Sequence, residues 1–175
     1  MEIRTVGIIG AGQMGSGIAH VCALAGMDVL LNDLDEERIS GGLATINGNM
    51  QRQVSKNIIE ESERQAGLER IKPAPSYEDL APCDLIIEAA TENEEVKRKI
   101  FQALCPAIGP DTILASNTSS ISITRLAAAT DRPERFIGIH FMNPVPLMQL
   151  VELIRGIATE DPTFEAAKAF IARLG

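Results

Sequence analysis

At 175 residues the chain is the size of one ordinary domain, long enough to bury a core without disulfides or a structural metal. Its net charge of −8 argues against nucleic acid or an anionic membrane surface as partner, while leaving room for a small anionic ligand held locally. With no Trp, one Tyr and five Phe the core must be aliphatic. Cys22, Cys83 and Cys105 are odd in number and free of any C-x-x-C spacing, which points to buried thiols in a reducing, cytoplasmic setting and to no metal site.

In chain order, "TVGIIG" is a short apolar run suited to a strand buried on both faces. It starts almost at the N-terminus, so no secretory leader is expected there. Met14, Ile18, Val21 and Leu24 or Ala25 then recur at helical spacing, with Gly26 as the stop, and "DVLLND" is a second strand. No apolar stretch reaches the ~18 residues of a membrane span; His20 and Asp28 interrupt the longest. Residues 35–66 are polar and predict one or two exposed helices projecting from the sheet, with Gly41, Gly42, Gly48 and Gly67 as candidate breaks. Beyond them "ERIKPA", "CDLIIEA", "TILAS", "RFIGIH" and "LMQLVELI" read as strands, and 93–104, 121–129 and 161–174 as helices. Strands alternating with helices imply a Rossmann-type, doubly wound α/β domain with a mostly parallel sheet, spanning 1–175.

The first turn, "GAGQMG", places Gly10, Gly12 and Gly15 in G-x-G-x-x-G spacing between a strand and a helix. Gly10 permits the tight turn, Gly12 a close approach of backbone to a pyrophosphate, and Gly15 close helix–strand packing. The phosphates would rest on free N–H groups at the positive end of the helix, with Gln13 and Met14 in the same site. Asp33 closes the second strand 18 residues after Gly15, where an acid meets ribose hydroxyls and repels a 2′-phosphate. The expected cofactor is NAD. Three other segments fall just beyond strand ends on the same edge, namely Ala89–Asn93, Asn117–Ser120 and His140–Asn143.

Two readings of His140 stand side by side: a satisfied core histidine, or a proton acceptor at the end of "FIGI". Glu152, inside "LVELI", is either solvent-facing or a buried acid in need of a partner. A turn at Asn143–Pro146 would bring the two together. Oxidation of an alcohol by hydride transfer requires the hydroxyl proton to leave as well, and a histidine oriented by a carboxylate can take it.

Taken together, "GIIGAGQMGSGIAHVCALAGMDVLLND", "IIEAATENEEVKRKIF", "ASNTSSISIT" and "GIHFMNPVPLMQLVELI" resemble the NAD-binding domain of the 3-hydroxyacyl-CoA dehydrogenases, in particular the bacterial 3-hydroxybutyryl-CoA type, along essentially all 175 residues. The resemblance implies that His140 and Glu152 are the catalytic pair. Glu92, Lys97, Ser119 and Asn143 would line the nicotinamide half of the site, with Ser119 also facing the substrate. Lys56, helped by Lys97, would meet coenzyme A phosphate. Asn49 stands where some relatives carry a serine contacting coenzyme A. The implied activity is reversible oxidation of a short-chain (S)-3-hydroxyacyl-CoA with NAD. The family continues into a helical C-terminal domain that supplies a further asparagine, much of the substrate cleft and most contacts of a homodimer. This sequence lacks that domain, which implies a fragment that binds NAD and turns over poorly. A dehydrogenase of a free hydroxy or sugar acid, and a non-catalytic NAD-binding module, are the alternatives.

Overall fold

The computed structural model describes residues 1–175. Seven strands form one sheet in the order β3-β2-β1-β4-β5-β6-β7. These are β1 (Thr5–Ile9), β2 (Asp28–Asn32), β3 (Ile71–Pro73), β4 (Leu85–Glu88), β5 (Ile113–Ser116), β6 (Phe136–Phe141) and β7 (Val151–Arg155). All neighbours pair in parallel except β6 and β7, which are antiparallel. The first six strands in the order 3-2-1-4-5-6 are the doubly wound arrangement, and the chain reverses direction in the sheet between β1 and β4. Ligands bind such sheets outside the carboxyl ends of the strands at that crevice.

Adjacent residues of each central strand enter different cores, because side chains alternate across a sheet. Leu85 and Ile87 join Val6, Ile8, Val29, Leu31, Ile137 and Ile139 on one face. Ile86 joins Leu114, Phe101, Leu104 and Phe136 on the other, where the Phe101 and Phe136 rings meet edge to face at 4.9 Å. The helices α1 (Gln13–Leu24) and α6 (Asp161–Leu174) cover the first face, while α4 (Glu94–Leu104) and α5 (Ile123–Ala128) cover the second. Local signals set the helix ends: Asn93 and Ser122 accept hydrogen bonds from the N–H groups of Val96 and Arg125. No helix is long and apolar enough to cross a membrane.

The polar segment after β2 forms two helices, α2 (Glu36–Ser55) and α3 (Glu61–Arg70). Gly41, Gly42 and Gly48 lie inside α2 and Gly67 inside α3, so none of the four is a break. Asp35 caps α2 by accepting from the Arg38 N–H. Ile39, Gly42, Ile46 and Met50 form its buried stripe. A β-carbon on Gly42 would stand 2.9 Å from the carbonyl oxygen of Ala11, whereas one on Gly41 would meet nothing. Close approach of α2 to the first turn, rather than flexibility, accounts for Gly42.

Two strand boundaries differ from the sequence expectation. Glu69 and Arg70 complete α3 instead of opening β3. Leu147–Leu150 stay outside β7, because the N–H groups of Leu147 and Met148 bond back to the Pro144 carbonyl and prolong the turn.

His20 lies within α1, 1% exposed, with Nε2 against the Gln53 side chain of α2 at 2.8 Å and Nδ1 unpartnered. Burial holds its pKa below the ordinary value, and the hydrogen bond to Gln53 offsets only part of this. The folded state thus favours the neutral ring. Stability from this site is complete above the unfolded value of about 6.5 and is lost as pH falls through it toward the depressed folded value.

Two predictions follow from this packing. Gly41→Ala is expected to stabilise by up to ~1 kcal/mol through helix propensity, and Gly42→Ala to destabilise by about 1–3 kcal/mol through overpacking, both read from urea unfolding at pH 7. Between pH 7 and pH 5 the urea midpoint of the parent should fall, and His20→Gln should flatten that decline. An equal decline in both proteins would count against His20 as its source.

Candidate active site

The first turn is shaped by how closely α1 lies against it. A β-carbon on Gly15 would stand 1.6 Å from the Gly10 carbonyl oxygen, and Gly10 has a left-handed backbone with φ of +107°. Gly12 is different, since a side chain there would meet no protein atom. The space its missing side chain leaves open suits a ligand that must approach the backbone at the amino end of α1. Asp33 accepts hydrogen bonds from the Ala11 N–H at 2.7 Å and the Leu34 N–H at 2.6 Å, so its carboxylate is already moored to the turn.

Two clefts meet over this turn. The larger, about 1320 Å³, is lined by Gly10–Gln13, Asp33, Tyr77, Val96 and Ile100, and by Arg38, Thr45 and Asn49 of α2. The smaller, about 420 Å³, is lined by Gln13, Met14, Glu92, Ser119, His140 and Asn143. Gly12, Gln13, Ala90, Thr91 and Asn143 border both, so the two are halves of one elongated site bent across the glycine turn. The size and shape fit a dinucleotide, with the adenosine half beside Asp33 and the nicotinamide half in the smaller cleft.

His140, on the wall of the smaller cleft, pairs with Glu152 of β7. His140 and Glu152 stand directly opposite each other in the antiparallel β6–β7 register, and so project from the same face of the sheet. Their side chains meet at 3.0 Å, His140 Nδ1 to Glu152 Oε1. The histidine side chain is 21% exposed and the glutamate 53%, so neither lies in a core, and only His140 lines the cleft. No protein group occupies His140 Nε2. The Asn117 side chain accepts from the Phe141 N–H, joining the end of β5 to the end of β6 beside the pair.

Glu92 anchors the serine. Its carboxylate accepts from the Thr118 hydroxyl, from the Ser119 N–H at 3.0 Å and from the Ser119 hydroxyl at 2.9 Å. Burial pushes its pKa up, but these hydrogen bonds and the positive charge of Lys97 outweigh that, so the net shift is down. Glu92 is therefore an ionised acceptor, and the Ser119 proton points toward it. In this arrangement the Ser119 hydroxyl is engaged as a donor, and its oxygen keeps acceptor capacity.

Four of the expected residues have less direct positions. Lys97 is 1% exposed and pairs with the buried carboxylate of Glu88 at 2.7 Å, which withdraws it from contact with coenzyme A at the surface. Lys56 is exposed at the end of α2 and borders neither cleft. Asn49 does line the larger cleft, with its oxygen engaged by Arg52. Met14 reaches only the smaller cleft.

Sequence reasoning missed Glu88 and Gly17. A β-carbon on Gly17 would stand 2.8 Å from Cβ of Val145, so this glycine lets the 143–146 turn dock on α1 and bring Asn143 to the junction of the clefts. The signal available was the second glycine of "GSG", two residues beyond the motif. For Glu88 it was an acid closing an otherwise apolar strand.

If Asp33 holds the adenosine ribose, Asp33→Ala should weaken NADH binding roughly tenfold, the scale of one hydrogen bond to a charged group. It should also narrow the gap between NADH and NADPH. Calorimetric titration with both cofactors checks this; unchanged affinity for both would remove Asp33 from the site.

Comparison with known proteins identifies the family. Residues 5–175 match the family model described as 3-hydroxyacyl-CoA dehydrogenase, NAD binding domain. The chain is 68% identical over 173 residues to a 3-hydroxybutyryl-CoA dehydrogenase of Bradyrhizobium diazoefficiens, covering 99% of this chain and 59% of that protein. It is 43% identical over 175 residues to a probable 3-hydroxybutyryl-CoA dehydrogenase of Bacillus subtilis, covering 100% and 61%. The crystal structure of (S)-3-hydroxybutyryl-CoA dehydrogenase PaaH1 from Ralstonia eutropha superposes with a TM-score of 0.97 at 49% identity, covering 99% of this chain and 62% of that one. The chain thus spans about three fifths of the length of these relatives. With the match running over residues 5–175, the chain belongs to the NAD-binding domain family of the 3-hydroxyacyl-CoA dehydrogenases, and its cofactor is NAD.

Proposed function

We propose that the protein interconverts (S)-3-hydroxyacyl-CoA and 3-oxoacyl-CoA, with short chains such as 3-hydroxybutyryl-CoA as substrates and His140 as the proton-transferring residue. The observation that carries this reading is the His140–Glu152 contact on the wall of the smaller cleft, since cofactor binding alone needs no proton acceptor there. The relatives' names supply the substrate class.

NAD supplies the hydride acceptor when bound, and NADH the hydride donor in reverse. The protein's own residues handle the proton and the position of the substrate. Gly10, Gly12, Gln13 and Gly15 hold the pyrophosphate turn, Asp33 the ribose, and Glu92, Ser119 and Asn143 the nicotinamide half. In the oxidation direction Nε2 of His140 takes the substrate hydroxyl proton as the C3 hydride departs; in reduction it returns that proton to the new alkoxide oxygen. Glu152 holds Nδ1 as the protonated nitrogen of the neutral ring, which leaves the Nε2 lone pair available. The substrate hydroxyl has a single proton, which goes to His140, so Ser119 can hold the substrate oxygen only as a donor. To donate to a 3-oxo group in reduction, Ser119 must turn its proton away from Glu92.

Lys56 is the phosphate contact for coenzyme A in this reading, one helical face with Asn49, which lines the larger cleft. We place the protein in the cytoplasm, a reading supported by three free, buried cysteines. The resemblance to the family supports a homodimer whose contacts lie mostly outside these residues.

The test follows NADH oxidation with acetoacetyl-CoA beside free acetoacetate, in the parent and in His140→Ala. Turnover is expected to select the thioester, and His140→Ala to lower it by roughly 10²–10⁴-fold while NADH still binds. Equal use of free acetoacetate would shift the reading to a hydroxy-acid dehydrogenase, and unchanged turnover in His140→Ala would remove the pair from the mechanism.

A further inference from the structure

Glu88, at the carboxyl end of β4, is completely buried and is the meeting point of three other elements. Its Oε1 accepts from the Lys97 ammonium of α4 at 2.7 Å and from the Ser116 hydroxyl of β5 at 2.7 Å. Its Oε2 accepts from the Ala90 N–H at 2.8 Å, in the loop that leads to Glu92. Ala90 and Thr91 border both clefts. Glu92, two residues further on, holds both the N–H and the hydroxyl of Ser119. One unbroken chain of contacts therefore runs from Lys97 through Glu88 to the loop, and from the loop through Glu92 to Ser119.

A purely structural ion pair gives a weak account of this arrangement. Removing two charges from water costs enough that well-packed apolar side chains of the same volume are commonly as stable or more so. An apolar pair, however, could not accept from the Ala90 N–H or the Ser116 hydroxyl. We infer that the buried Glu88–Lys97 pair is a positioning device: it sets the path of the Ala89–Asn93 loop across the junction of the two clefts and so fixes Glu92 and Ser119 for the nicotinamide half of the site. The inference rests on the reading of the smaller cleft as that half. It gives Lys97 a role from below the site, through Glu88 and Glu92, in place of contact with coenzyme A. Glu88 and Lys97 act through other residues and touch no reacting atom.

The experiment uses paired substitutions, because Glu88→Gln or Lys97→Met alone leaves one partner buried without its counterpart. Glu88→Met with Lys97→Met removes both charges at similar volume; Glu88→Gln with Lys97→Met also removes both but keeps an acceptor for the Ala90 N–H. Melting temperature, amide hydrogen exchange at Ala90, Thr91 and Ser119, and NADH affinity are measured for each and for the parent chain. In the Met/Met variant we expect a near-parent melting temperature, faster exchange at those three amides and NADH affinity weakened about tenfold, with the Gln/Met variant recovering part of both losses. If the Met/Met variant does not fold, the Gln/Met variant still decides: without the Lys97 ammonium and the carboxylate it holds, the Ala90 contact is weaker, and exchange at Ala90 and Ser119 should still exceed the parent's. Parent-like exchange, or faster exchange with parent-like NADH affinity, would overturn the inference and leave the pair a support of the fold. A parent chain that fails to bind NADH would instead refute the cofactor reading itself, so the two failures are told apart.

Discussion

The close approach of α1 to the turn after β1 is the constraint on which the rest of the site depends. Gly15 lies so near the Gly10 carbonyl that no side chain fits between them. That contact holds the amino end of the helix, with its free N–H groups, over the carboxyl edge of the sheet. Two further glycines extend the same logic outward. Gly17 seats the Val145 turn on α1, and Gly42 seats α2 on Ala11 and Ser16. The first contact shapes the floor of the site, the second brings in Asn143, and the third brings up the wall formed by α2. All three act by absence of a β-carbon, and a close-packed interior has no room to compensate for its addition.

Upon this frame the charged groups divide by depth. Glu88 and Lys97 are wholly buried and each neutralises the other, as buried charges must. Glu92 lies nearer the surface, its charge stabilised by three donors and by Lys97 behind it. Glu152 is likewise exposed, while His140 is partly buried and keeps one ring nitrogen unengaged. The buried pair gains strength from the low dielectric around it.

Much of this was legible in the sequence because it is local. The alternation of apolar strands with amphipathic helices, the spacing of Gly10, Gly12 and Gly15, and Asp33 at the end of "DVLLND" each follow from neighbours within a few tens of residues. The strand order agrees with the Rossmann expectation, and His140 meets Glu152 across a connection of nine residues, 142–150. The errors were also local in kind. Gly41, Gly42, Gly48 and Gly67 were read as helix breaks from propensity, which tertiary contact overrides at Gly42. Leu147–Leu150 were read as strand from hydropathy alone, although the backbone there is committed to the preceding turn.

What the sequence by itself determined, then, was the class of fold, the cofactor turn and the candidate proton acceptor, because repeating polarity and short-range spacing encode them. Only the tertiary structure decided which acids and bases meet. Glu88 and Lys97 are nine residues apart on different elements, and Glu92 and Ser119 are 27 apart. Helical and strand periodicity says nothing about such pairs. Their partners are chosen by the order of β4, β5 and β6 in the sheet and by the depth at which each side chain ends, and both are properties of the assembled fold.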